Sequence, residues 1–262
     1  LYTGRITRLY LPEPTQSQVM ATEAEANLAQ NLAWQPDGRR AGATLAAGGD
    51  GIVHTMISVD SLLYGIALAG VAVQASSGVL EAGRRPFDLF GMVVVALAAA
   101  LGGGTLRDVM LDRKVFWIAD QSYLTAAVLA GLATFALVRI RALPPKLFLL
   151  PDAVGLALFT VSGTQAALAM GAPWLVASLM GVITGVFGGI LRDVLCNQIP
   201  LVFVGQLYAT ASWAGALLLV GLSLWGGVSP GWAALAGGSL VLTIRLCALA
   251  FDWRLPVFAV RS

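Results

Sequence analysis

The chain of 262 residues is 58% hydrophobic and 11% charged, with a mean hydropathy of +0.80 and a net charge of +2. Soluble domains are about half apolar and a quarter charged, so these values exclude a water-soluble globular domain and mark an integral membrane protein. The 16 Lys and Arg residues lie scattered between apolar runs, which excludes a nucleic-acid partner, and the 2 cysteines, Cys196 and Cys247, fit neither a metal spacing nor a disulfide framework.

Residues 1–55 form a leader that mixes charge, Gln, Pro and Gly without an apolar period long enough to build a core, and it is expected to be poorly ordered. It does not read as a signal peptide, because the apolar stretch after it is too long and lacks a small-residue cleavage pattern. "MISVDSLLYGIALAG" from Met56 reads like a membrane-protein start, so the leader is expected to be an upstream extension or a misassigned start. His54, the single histidine, sits in it and is not expected to be a ligand. From Ser58 onward, seven apolar segments approach the roughly 30 Å hydrocarbon thickness of a bilayer. They lie at 58–80, 87–112, 121–140, 152–171, 173–196, 201–224 and 231–250.

A shift of 85 residues aligns two halves of the chain without a gap: Gly70 meets Gly155, Ser77-Gly78 meets Ser162-Gly163, Leu106-Arg107-Asp108-Val109 meets Leu191-Arg192-Asp193-Val194, and Tyr123 meets Tyr208. Each copy holds three spans, an odd number, so the second copy enters the bilayer from the opposite side and the pair forms an inverted repeat. The expected fold is therefore all-α, with two inverted three-helix repeats (56–145 and 146–228) and a seventh helix with a short tail (229–262) outside the symmetry. The copies differ where Asp152 opens helix four, since its counterpart is Ala67 and Asp60 lies two turns further upstream. Arg84, Arg85, Arg139, Arg141, Lys146, Arg254 and Arg261 fall on one side, against Arg113 and Lys114 on the other. The positive-inside rule then places the C-terminus in the cytoplasm and the N-terminus outside.

Helices two and five carry Gly102, Gly103, Gly104 and Gly188, Gly189. In a lipid-facing helix each glycine sacrifices roughly 1 kcal/mol relative to alanine, so something must approach that backbone. Two readings stand: close packing against a neighbouring helix, or a helix broken there so that freed carbonyls border a hydrated path. The doubling favours the second, and both helices are expected to be interrupted at the glycines. Arg107 with Asp108 and Arg192 with Asp193 follow. Adjacent residues point to different sides of a helix, so each is expected to need another partner. Either the arginines sit at opposite mouths of a path or they pair across its centre with Asp193 and Asp108; an arginine snorkelling to headgroups is the plain alternative. Ser76, Ser77, Ser162, Thr164 and Thr184 are candidate pore-lining hydroxyls, with Gln74 and Gln165 as further candidates.

The segment "LEAGRRPFDLFGMVVVALAAALGGGTLRDVMLDRKVFWIADQSYL", its echo "FGGILRDVLCNQIPLVF" and the three-plus-three-plus-one layout resemble the bacterial relatives of the trimeric intracellular cation (TRIC) channels, some of which are also labelled presumed glycine transporters. The resemblance spans Ser58 to Leu249. It implies a homotrimer in the bacterial inner membrane in which each subunit holds its own pore, lined by kinked second and fifth helices and conducting monovalent cations with potassium favoured. The implied partners are other copies of the chain, membrane lipids and potassium or similar cations, with no cofactor and no metal. Phe187 departs from a full triple glycine in the second copy. No paired carboxylates, His cluster, nucleophile elbow or phosphate loop points to an enzyme, and "GGGTLRD" lacks the lysine and hydroxyl of a Walker motif. The rival reading is a secondary transporter of a small zwitterion such as glycine, with helix ends holding its carboxylate and Asp108 or Asp193 its ammonium.

Overall fold

A computed structural model describes residues 59–140, 144, 146–204 and 206–256, with side chains from Tyr64 onward. The leader with His54, the start at Met56, the side chain of Asp60, and Arg141 and Arg261 lie outside the described residues. Among the described residues there are seven long helices: α1 Val59–Ala82, α2 Leu89–Met110, α3 Ser122–Ile140, α4 Leu149–Ala169, α5 Trp174–Leu195, α6 Ala209–Leu224 and α7 Pro230–Ala250. Six are long and apolar enough to cross a membrane, and α6, at 16 residues, is shorter. The sixth span was expected from residue 201. Instead a 3-10 turn at Leu201–Phe203 precedes α6, just as a single helical turn at Phe116–Ala119 precedes α3.

Local chemistry sets the helix ends. The Asp88 carboxylate caps α2 by accepting from the Gly91 amide at 2.7 Å, and Pro230 opens α7 where its missing N–H costs nothing. Past the ends of α2 and α5, Asp112 and Asn197 take left-handed backbone angles (φ 50° and 52°) that their short polar side chains tolerate. The next amides close back in parallel, Arg113 onto the Asp108 carbonyl and Gln198 onto the Asp193 carbonyl, both at 2.8 Å. These two closures stand 85 residues apart, as the sequence alignment requires.

The expected helix breaks are absent: α2 and α5 run uninterrupted through Gly102, Gly103, Gly104 and through Gly188, Gly189. The glycines serve close packing instead. A Cβ on Gly103 would overlap the Thr184 carbonyl of α5, and a Cβ on Gly188 would overlap the Ala99 carbonyl of α2. The two contacts are the same contact in each copy. Because lipid tails offer helices no hydrophobic incentive to associate, such backbone-to-backbone approach is how they gain contact, and it leaves each carbonyl in its own helix ladder. Around this crossing, α1 packs on α2 and α3, α4 packs along α5, and α6 lies against α7. The buried core is correspondingly small-residue rich, with Ala75, Ala82, Ala96, Ala100 and Ala127 beside Val71, Val79 and Leu101.

Candidate functional site

The last turn of α2 places Arg107 and Asp108 inside the bundle. Arg107 is bound to its neighbour by two bonds, Nε to Asp108 Oδ1 at 2.8 Å and Nη2 to Oδ2 at 3.0 Å. The expectation that adjacent residues could not satisfy each other was therefore wrong: the Cβ vectors diverge, but the long arginine stem curls back far enough for its planar fork to meet the carboxylate. The remaining Nη1 donates to Ser162 Oγ of α4 at 2.8 Å, and the Phe116 amide donates to Asp108 Oδ2 at 2.9 Å.

The same unit recurs at the end of α5. Arg192 Nε donates to Asp193 Oδ1 at 2.8 Å, Arg192 Nη1 to Ser77 Oγ of α1 at 2.8 Å, and the Leu201 amide to Asp193 Oδ2 at 2.9 Å. Each arginine thus reaches across to the serine of the other copy. Pairing of each arginine with the distant aspartate across the centre is not what the bonds show, nor is snorkelling, since the Arg192 side chain is 0% exposed and that of Arg107 only 8%. Charges buried among apolar helices are tolerated when paired, and each arginine has a carboxylate within its own unit, although Arg192 Nη2 has no hydrogen-bond partner among the described residues.

The second unit has an added layer that sequence reasoning missed as a partner set. Asp152 Oδ1 accepts from Arg192 Nη1 and from Tyr208 Oη, the latter at 3.1 Å, and the Arg245 guanidinium of α7 lies 4.8 Å from the Tyr208 ring centroid. Glu81 is also buried, bonded to Arg84 at 3.1 and 3.2 Å. The signal available in the sequence is a charge inside an apolar run: Asp152 stands out there as a break in the repeat, and Arg245 as one charge in the last apolar segment.

The candidate hydroxyls divide. Ser77 and Ser162 serve the arginines. Ser76 donates to the Ala72 carbonyl at 2.9 Å and accepts from Thr134, Thr164 donates to the Thr160 carbonyl at 2.9 Å, and Thr184 to the Met180 carbonyl at 2.7 Å, the back-bonding usual for hydroxyls in membrane helices. Gln74 Oε1 is buried against Gly155 without a protein partner among the described residues, while Gln165 Nε2 donates to the Pro230 carbonyl at 3.2 Å. Beside the helix crossing, a side groove of about 460 Å³ is walled by Leu97, Leu101, Gly102, Leu106, Phe187 and Leu191.

Comparison with known proteins bears on this geometry. The protein-family model described as glycine transporter matches residues 64–139 and 149–223, two blocks whose starts keep the repeat spacing. The UPF0126 inner membrane protein YadS of Escherichia coli K12 is 41% identical over 201 residues, covering 76% of this chain and 97% of its own. A UPF0126 membrane protein of Vibrio cholerae is 44% identical over 205 residues, covering 76% and 84%. Among solved structures, the TRIC trimeric intracellular cation channel orthologue from Rhodobacter sphaeroides superposes with a TM-score of 0.70 at 34% identity, over 74% of this chain and 100% of that one.

Proposed function

We propose, because this chain belongs to the TRIC family of membrane proteins, that it is a monovalent-cation channel favouring potassium and working as a homotrimer with a pore in each subunit. The fold, the span set and a channel relative at 34% identity support a cation channel, and they speak against an enzyme. The observation that carries the reading is the pair of buried Arg–Asp–Ser units at the ends of α2 and α5. Ionisable groups inside a membrane bundle mark a transport path by default, and a carboxylate on each arginine removes the positive field that would repel cations. Both units come from one chain, so the path belongs to a subunit rather than to the axis between subunits.

The path runs from Arg107, Asp108 and Ser162 to Arg192, Asp193 and Ser77, past the α2–α5 crossing. With both helices intact, the groups available to coordinate a cation along it are side-chain oxygens rather than freed carbonyls. The seats of Gly103 and Gly188 form its constriction, and conduction requires α2 and α5 to slide or part there. We read the two three-helix units as an inverted repeat, with the C-terminus cytoplasmic, on the parity of their spans and the distribution of Lys and Arg.

A second reading is favoured by the description of the matching family: a carrier of a small zwitterion, for which a buried guanidinium and carboxylate supply complementary charges. Purified protein in planar bilayers separates the two. Unitary potassium currents are expected; saturable glycine uptake driven by an ion gradient, without unitary currents, would replace the channel by the carrier.

A further inference from the structure

The two Arg–Asp–Ser units share the Nε–carboxylate, Nη1–serine and amide–carboxylate bonds, but Arg107 Nη2 also bonds Asp108 Oδ2 whereas Arg192 Nη2 has no hydrogen-bond partner among the described residues, and the further departures gather at the α5 end. Asp152 has Ala67 as its counterpart. Tyr208 bonds Asp152, whereas Tyr123 packs its ring against Phe116 and Tyr64 at 5.0 and 5.7 Å. α7, outside the repeat, adds Arg245, which is 0% exposed and has a single hydrogen-bond partner among the described residues, Gln206 Oε1 at 3.0 Å. Its Nε and Nη2, the edge that binds a carboxylate in bidentate fashion, have no protein partner there. Asp152 Oδ2 has none either, while Oδ1 carries two donors. Tyr208 touches both residues, its hydroxyl on Asp152 and its ring face under Arg245.

A buried guanidinium with no carboxylate beside a buried carboxylate with an idle oxygen is a costly arrangement, and one movement relieves both. We propose that Arg245 is a second partner for Asp152, and that exchange of Asp152 between Arg192 and Arg245 positions Arg192 for conduction. The inference rests on the channel reading above. Arg192 keeps Asp193 and Ser77 throughout, so the exchange loses one ion pair, gains another and strands no charge. Among the described residues the α2 end holds no equivalent, so α7 controls one end of the path only.

Open probability and unitary conductance in symmetric KCl test this in reconstituted full-length protein. Arg245→Gln fixes Asp152 on Arg192 and is expected to lower open probability about tenfold while leaving unitary conductance unchanged, and Arg245→Lys to restore most of it. In an Asp152→Asn background, Arg245→Gln is expected to have no further effect, which a merely structural arginine would not produce. Should Arg245→Gln fail to assemble, Tyr208→Phe keeps the ring and frees Asp152 Oδ1, and a severalfold rise in open probability is expected. Open probability within twofold of wild type in Arg245→Gln or in Tyr208→Phe, independent effects in the double variant, or a fall in conductance instead of open probability overturns the proposal. Wild-type protein without unitary currents sinks the channel reading and this inference together; a conducting wild type with an indifferent Arg245→Gln sinks only the inference.

Discussion

Gly103 and Gly188 each rest on a carbonyl of the other helix, so a single methyl at either position must push α2 and α5 apart. Gly103→Ala and Gly188→Ala are expected to destabilise the protein by about 1–3 kcal/mol each, the range for overpacking a closed contact. Gly221→Ala meets nothing within 4 Å and is expected to be neutral or to gain up to about 1 kcal/mol from helix propensity, and thermal unfolding in detergent distinguishes the two classes. The arginines differ in the same measurable way. Arg192→Gln leaves Asp152 and Asp193 uncompensated in a fully buried place and is expected to cost about 3–5 kcal/mol, more than Arg107→Gln, whose site is slightly open and holds one carboxylate. Equal losses of melting temperature in the two variants would contradict that ranking. At this scale the sequence picks out the two Arg–Asp pairs as charges inside apolar runs but not whom they touch. The Arg107–Asp108 bond depends on side-chain reach that helical periodicity does not encode, and Arg245 hides as one charge in an otherwise apolar helix.

Helices were legible because apolar length and Pro, Gly and Asp punctuation are written locally; the observed α1 to α5 ends fall within a few residues of those expected. What local pattern could not decide was the meaning of the glycines. Lost propensity at Gly102 to Gly104 is the same whether a helix breaks or a neighbour approaches, and only the tertiary contact to Thr184 distinguishes them. The start of α6 was misplaced for a related reason, since "LVF" at 201–203 is as apolar as the helix it precedes. Between elements, Tyr64 of α1 donates to Asp120 ahead of α3 at 2.6 Å, and that bond, aided by the Ser122 amide, holds the Asp120 carboxyl below its ordinary 3.8. A depressed carboxylate stabilises the fold above its unfolded value, and the contribution fades as pH falls through the folded one. Asp120→Asn is therefore expected to lower the melting temperature at pH 7, with the difference from wild type shrinking as the pH drops below 3.8; a difference independent of pH would assign the tie to packing alone.

At the scale of the whole molecule, the 85-residue repeat in the sequence returns as matched closures after α2 and α5, matched Arg–Asp–Ser units, and the reciprocal seats of Gly103 and Gly188. A repeat is readable before folding because it is a comparison of the chain with itself, whereas α7 has no copy and its contribution emerged only in three dimensions. The α2 and α5 backbones are in contact at Gly103 and Gly188, so the channel reading requires that crossing to open without unwinding either helix. The most direct test is the reversal potential of purified, reconstituted protein under a tenfold KCl gradient. The account predicts a reversal potential displaced strongly toward the potassium equilibrium value; a reversal near zero or toward chloride, or a membrane that stays silent, would contradict it.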